Sequence, residues 1–120
     1  MKGLLVIGHG SRSAHAVTEF EAVVNMVREK ASHAQVAGAH MELASPNVPT
    51  SVSDMVAKGV TNITVVPYFL YMGNHIKQDI PEILDVEQLK YPHVAFQLAK
   101  PIGVEALMAD ILLKRAHEIE

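Results

Sequence analysis

Short aliphatic runs alternate with stretches of helical periodicity, four times over in 120 residues, and that alternation leaves few folds open. Leu4-Leu5-Val6-Ile7 is apolar at every position, the pattern of a strand buried on both faces. Ala14 to Ala31 then sets Val17, Phe20, Val23, Val24, Val27 and Ala31 at helical spacing. Val36 to Leu43 reads as a second strand. Asn47 caps a following helix that has Pro49 in its first turn and stops near Gly59. Asn62 to Leu70 is the strongest strand signal, because Ile63, Thr64, Val65 and Val66 are all branched at Cβ. Pro81 lacks an N–H and is expected to start or kink the next helix. Val94 to Ala99 gives a fourth strand. Pro101-Ile102-Gly103 turns into a last helix, whose Val104, Leu107, Met108, Ile111, Leu112 and Ile119 form one stripe.

This order predicts one α/β domain over residues 1–120, with a four-stranded parallel sheet between two helical layers. Crossovers are right-handed. Sheets of this kind bind ligands beyond the carboxyl ends of their strands, where strand order reverses. In the order 2-1-3-4, His9 ends the first strand and His75 follows the third, so the two imidazoles share a crevice. Glu42 ends the second strand, on the other side of the first.

Composition removes several functions. There is no cysteine, hence no disulfide scaffold, zinc ribbon, iron–sulfur site or thiol nucleophile. The formal charge is −3 and aromatics make up 5%, so a nucleic-acid surface has neither cationic nor stacking support. The first apolar run is too short to span a membrane and lacks a signal-peptide cleavage site, which points to a cytoplasmic chain without a membrane partner. Seven histidines are the compositional oddity.

Gly8-His9-Gly10 makes a tight strand-to-helix turn, exposes the imidazole and lets another group approach the backbone. It is neither a P-loop nor a GxSxG elbow. Ser11 stands where a helix N-terminus holds an anion or simply takes a cap. His15, His33, His40, His93 and His117 read as surface or packing residues. His40 is the one with a reservation, since it shares a strand face with Glu42. The methionines read as core filling. His9, His75 and Glu42 together form an open nitrogen–oxygen set suited to borderline divalent ions.

These blocks resemble a family. Gly8-His9-Gly10-Ser11-Arg12, then Glu42 with Pro46, then Val66-Pro67-Tyr68-Phe69-Leu70 leading to Gly73-Asn74-His75 and Asp79-Ile80-Pro81, are similar to the short-form sirohydrochlorin cobaltochelatases, single-domain class II chelatases. The resemblance implies a chelatase-like, flavodoxin-like fold and ATP-independent insertion of Co²⁺, or Ni²⁺, into sirohydrochlorin by a homodimer. The divalent metal is then a substrate, with no permanently bound cofactor. The resemblance assigns the metal to His9 and His75 and catalysis to His9, Glu42 and His75. The tetrapyrrole falls to Gly10, Ser11, Arg12, Phe69, Leu70, Tyr71, Met72, Gly73, Asn74 and Lys77. Tyr71-Met72-Gly73-Asn74 departs from the Pro-Gly-Gly that many relatives carry before the histidine, which leaves the metal open. Iron insertion into the same ring, a non-catalytic metal or tetrapyrrole carrier, and a regulatory module with incidental histidines are the other readings.

Overall fold

In the computed structural model, which describes Met1 to Glu120, the first aliphatic run is β1 (Lys2–Gly8), at the centre of the sheet. The elements follow as α1 (Ala14–Lys30), β2 (Gln35–His40), α2 (Val48–Ala57), β3 (Asn62–Pro67), α3 (Asn74–Lys90), β4 (Ala95–Leu98) and α4 (Ala106–His117). All strand pairs are parallel and the order is β2-β1-β3-β4, as the alternation predicts. β1 is apolar from Leu4 to Ile7 because it is flanked by strands on both edges and by helices on both faces. Its odd residues Leu5 and Ile7 join Val48, Val52, Met55, Ile80 and Leu84 under α2 and α3. Its even residues Leu4 and Val6 pack with Val36 beneath Phe20 and Val24 of α1. Burying a side chain of this size contributes roughly 1.5–3 kcal/mol.

The helix starts follow their sequence signals. The Ser13 hydroxyl accepts from Ala16 N–H at 3.3 Å and caps α1. The Asn47 side chain accepts from Thr50 N–H at 2.9 Å and caps α2.

Several expectations are corrected. Pro81 does not start a helix: it lies inside α3, which begins at Asn74. The hydrogen bond its nitrogen cannot donate would have gone to the carbonyl of Lys77, an exposed residue that water can serve. The second and third strands stop at His40 and Pro67, short of Leu43 and Leu70, because the chain turns there into the site loops. His33 lies in the turn after α1 rather than on the helix. Met26 is exposed rather than core. The largest departure is α4. Its stripe covers no part of the sheet and the helix has no buried residue. One face of the sheet therefore carries only α1, the other α2 and α3. No helix is long and apolar enough to cross a membrane.

Candidate metal and tetrapyrrole site

The glycines around His9 answer to two neighbours. A Cβ at Gly8 would lie 2.7 Å from the Phe20 ring, so glycine ends β1 where α1 presses a phenyl group against it. Gly10 has a φ of +100°, a left-handed conformation that side chains disfavour. A Cβ there would also overlap the carbonyl oxygen of Glu42. The two loops are joined by backbone hydrogen bonds that extend the β1–β2 ladder past the strand ends. Met41 N–H donates to the Gly8 carbonyl at 2.9 Å, and Glu42 N–H donates to the His9 carbonyl at 3.1 Å. The side chains consequently meet. The His9 Nε2 lies 3.1 Å from Glu42 Oε1, with the carboxylate accepting the Nε2 proton. Both side chains are more than half exposed, so the pair itself adds little to stability. The Phe69 ring lies edge-to-face with the imidazole, centroids 6.2 Å apart and planes at 72°.

His75 sits in the first turn of α3, behind the exposed N-cap Gly73. It lines an open cleft of about 700 Å³ whose other wall is His9, Met41 and Glu42. The sequence-predicted trio thus shares one cleft at the carboxyl edge of the sheet. His9 and Glu42 are in contact. His75 faces them across the opening, and no three His, Asp or Glu side chains converge closely enough to hold an ion. Neutral imidazole and carboxylate are donors for borderline divalent ions. An open set of this kind leaves coordination positions for a second ligand such as a ring nitrogen.

The remaining predicted residues divide. Gly73 and Asn74 line the cleft. Phe69 and Met72 are half-buried against the core and do not line the cleft. Gly10 and Ser11 line a smaller pocket of about 220 Å³ on the α1 side of the sheet, with Phe20, His40 and Tyr68. The Ser11 hydroxyl accepts from Ser13 N–H at 3.0 Å and so shapes the loop. Arg12, Tyr71 and Lys77 are exposed and outside the cleft lining. Leu70 faces α4 instead. His40 parts from Glu42: it is buried against Phe20, with ring centroids 4.9 Å apart, while Glu42 turns to the opposite side.

Sequence reasoning missed the far wall of the cleft. Asp79, Glu82 and Val86 follow His75 along one face of α3, beside Ile76 and Ile83. The i, i+4, i+7 spacing from His75 carries that signal once Pro81 is placed inside the helix rather than at its start.

Residues 3–119 match the CbiX family. The sirohydrochlorin cobaltochelatase of Methanosarcina acetivorans is 32% identical over 123 residues, which cover 97% of this chain and 95% of that protein. The chloroplastic sirohydrochlorin ferrochelatase of Arabidopsis thaliana is 31% identical over 113 residues, 94% of this chain but 50% of the relative. The chain therefore spans half the length of the plant relative and nearly all of the archaeal one. Among solved structures, a cobalamin biosynthesis CbiX protein from Marinobacter aquaeolei superposes with a TM-score of 0.86 at 30% identity, over 100% of both chains. The sirohydrochlorin chelatase SirB from Bacillus subtilis in complex with cobalt superposes with a TM-score of 0.92 at 31% identity, over 98% of this chain and 50% of the other. The match to the family along almost the whole length and the close superposition on a CbiX protein over all of both chains agree, and the chain belongs to the CbiX family.

Proposed function

We propose that residues 1–120 form a sirohydrochlorin chelatase unit that inserts Co²⁺, or Ni²⁺, into the ring without ATP and acts as a homodimer. The observation that carries this reading is the shared cleft, with the His9–Glu42 contact on one wall and His75 on the other. The relatives named sirohydrochlorin cobaltochelatase, and the SirB structure in complex with cobalt, support it.

The chemistry follows from the groups present. Insertion exchanges two ring N–H protons for one divalent ion. His9 and His75 take the ion from one side and replace part of its water shell, while its other face stays open to the ring. Both imidazoles must be neutral to ligate, so insertion falls as they protonate. Glu42, in contact with His9, takes the pyrrole protons one at a time as they leave and releases each to water. Met41, Ile76 and Ile83 give the flat macrocycle an apolar surface. Gly10, Ser11, Arg12, Asn74 and Lys77 are the candidates for the carboxylate arms. Phe69, Leu70, Tyr71, Met72 and Gly73 shape the loop beside the ring.

Iron insertion is the second reading, favoured by the relatives named ferrochelatase and by a B. subtilis SirB structure with Fe³⁺. Absorbance spectroscopy of sirohydrochlorin with Co²⁺, Ni²⁺ and Fe²⁺ in parallel tests both readings. A chelatase converts many equivalents of ring per chain. A shift that stops at one equivalent would make the protein a carrier, and no shift with any metal would remove the reading.

A further inference from the structure

The loop that carries Glu42 holds a backbone conformation that its sequence does nothing to ease. Gly10, Gly59 and Gly103 have positive φ, a region glycine enters freely, and the one other residue that does so is Leu43, at +65°. For a bulky side chain this is a strained state, because Cβ crowds the carbonyl oxygen. Ala44 N–H donates to the Glu42 carbonyl at 2.8 Å, two residues back, and closes a γ-turn on Leu43. The surroundings enforce the turn. Met41 N–H and Glu42 N–H are bonded to the Gly8 and His9 carbonyls, and His40 N–H donates to the Pro46 carbonyl at 2.9 Å where the chain comes back.

Reversing the chain does not require a leucine. Glycine makes the same turn without strain, and asparagine tolerates it better than other side chains do. Nor does Leu43 gain much from its own chain: it is 52% exposed and belongs to neither core cluster. Strain held in place by its surroundings collects at sites that bind or react. An apolar side chain that is both strained and exposed has its contact still to make.

Its place indicates with what. Met41 and Glu42, the two residues before it, line the cleft of His9 and His75, and Ile76, Ile83 and Val86 of α3 line the opposite wall. The γ-turn takes the chain out of the cleft directly after Glu42, so Leu43 stands at the edge of the opening, next to the carboxylate. A flat, largely apolar macrocycle that enters between these walls meets Leu43 as it covers the His9–Glu42 pair. We infer that Leu43 is a ring-contacting residue, held on its strained turn so that its side chain packs against the tetrapyrrole beside Glu42 and sets affinity for the ring without touching the metal. The inference rests on the tetrapyrrole reading proposed above.

The test titrates metal-free sirohydrochlorin by absorbance and Co²⁺ by calorimetry on the same samples, with thermal melts beside them. Leu43→Gly and Leu43→Asn keep the turn, melt no lower than the parent, and bind the ring about tenfold more weakly, the scale of burying half a leucine side chain. Their Co²⁺ affinity stays parental, because His9, Glu42 and His75 are unchanged. Leu43→Met, apolar and of similar volume, keeps the ring affinity. Parental ring affinity in the glycine and asparagine variants overturns the contact. So does a melting temperature well below the parent's in both, which would place the side chain in the protein's own packing. Equal losses of Co²⁺ and ring affinity overturn it too, since the turn would then act by aiming Glu42. A parent that binds the ring but inserts no metal overturns the chelatase reading, and the contact then stands on the difference in ring affinity.

Discussion

Glu42 meets His9 twice, through the hydrogen bond from its N–H to the His9 carbonyl at 3.1 Å and through the carboxylate 3.1 Å from Nε2. The backbone bond fixes the approach of the loops, and the side-chain contact follows from it. Replacing the carboxylate therefore changes charge without loosening the frame. Glu42→Gln is expected to keep the parental melting temperature and to slow metal insertion by about 100-fold or more, the lower end for a positioned proton acceptor. Insertion rates at several pH values check this. Equal rates for the variant and the parent would take Glu42 out of the mechanism.

His9 and His75 are exposed and belong to no core cluster. His9→Ala and His75→Ala are each expected to stay within about 0.5 kcal/mol of the parental stability, as exposed substitutions do. Loss of Co²⁺ affinity should exceed the roughly 10–100-fold that removal of an outer-shell partner costs. Denaturant melts and metal titrations on the same samples separate the two effects. Folded variants that retain parental affinity would show that the ion binds elsewhere.

Gly10 and Gly59 both have positive φ, +100° and +93°. A Cβ at Gly59 meets only the end of Met1 at 3.9 Å, whereas a Cβ at Gly10 collides with the Glu42 backbone. Alanine at either position costs about 1–3 kcal/mol through the backbone conformation alone. Only Gly10→Ala pushes Glu42 away from His9. Insertion should collapse in Gly10→Ala and survive in Gly59→Ala when both are assayed below their melting temperatures. Comparable activity in the two would mean that the Gly10–Glu42 approach does not position the site.

Glu87 of α3 is buried, with one oxygen accepting from Lys90 Nζ at 2.8 Å and the other without a partner. The hydrogen bond to Glu87 raises the Lys90 pKa above its ordinary 10.5. A raised pKa in the folded state means the contribution is complete below 10.5 and disappears as pH climbs through the raised value. Lys90→Met should melt lower than the parent at neutral pH, because it strands a buried carboxylate. The gap should close at strongly alkaline pH, where the parent has lost the same charge. A gap that does not change with pH would assign the effect to packing.

The order of elements was legible because each strand is a block of aliphatic residues and each helix a separate period. His9 was legible because it breaks an aliphatic run at the carboxyl end of β1, and His75 because it follows the loop after β3 on the same edge of the sheet. Phe20 was legible as a core residue. Its demand for Gly8 and Gly38 was not, because the contact joins α1 to strands far apart in sequence. The stripe on α4 shows a different limit. Periodicity reports that a face is apolar and is silent on what it packs against, and here the face does not pack on the chain's own sheet. Asp79 was hidden by Pro81. Pro81 reads in sequence as a helix start or a kink, and only its place inside α3 reveals the register linking Asp79 and Glu82 to His75.

That register places Asp79 and Glu82 on the wall facing His9 and Glu42, so carboxylates stand on both sides of the cleft. Neither is in a group that could hold an ion by itself, so their effect is on the local field. A cleft lined by one sign of charge raises the concentration of the opposite ion and the rate of its arrival by roughly 10- to 1000-fold. The same field repels the carboxylate arms of the ring and turns them toward the outer rim. Asp79→Asn combined with Glu82→Gln should therefore slow Co²⁺ association about tenfold at low ionic strength, the lower end of that range. The difference should shrink as salt brings the screening length down to about 8 Å. Dissociation should hardly change, because the ligands remain. The KM for the ring should fall, since the repulsion of its arms is relieved. Stopped-flow competition with a chromophoric chelator, run at two salt concentrations, reads the association rate. An unchanged association rate at low salt would mean that the acidic wall does not guide the ion.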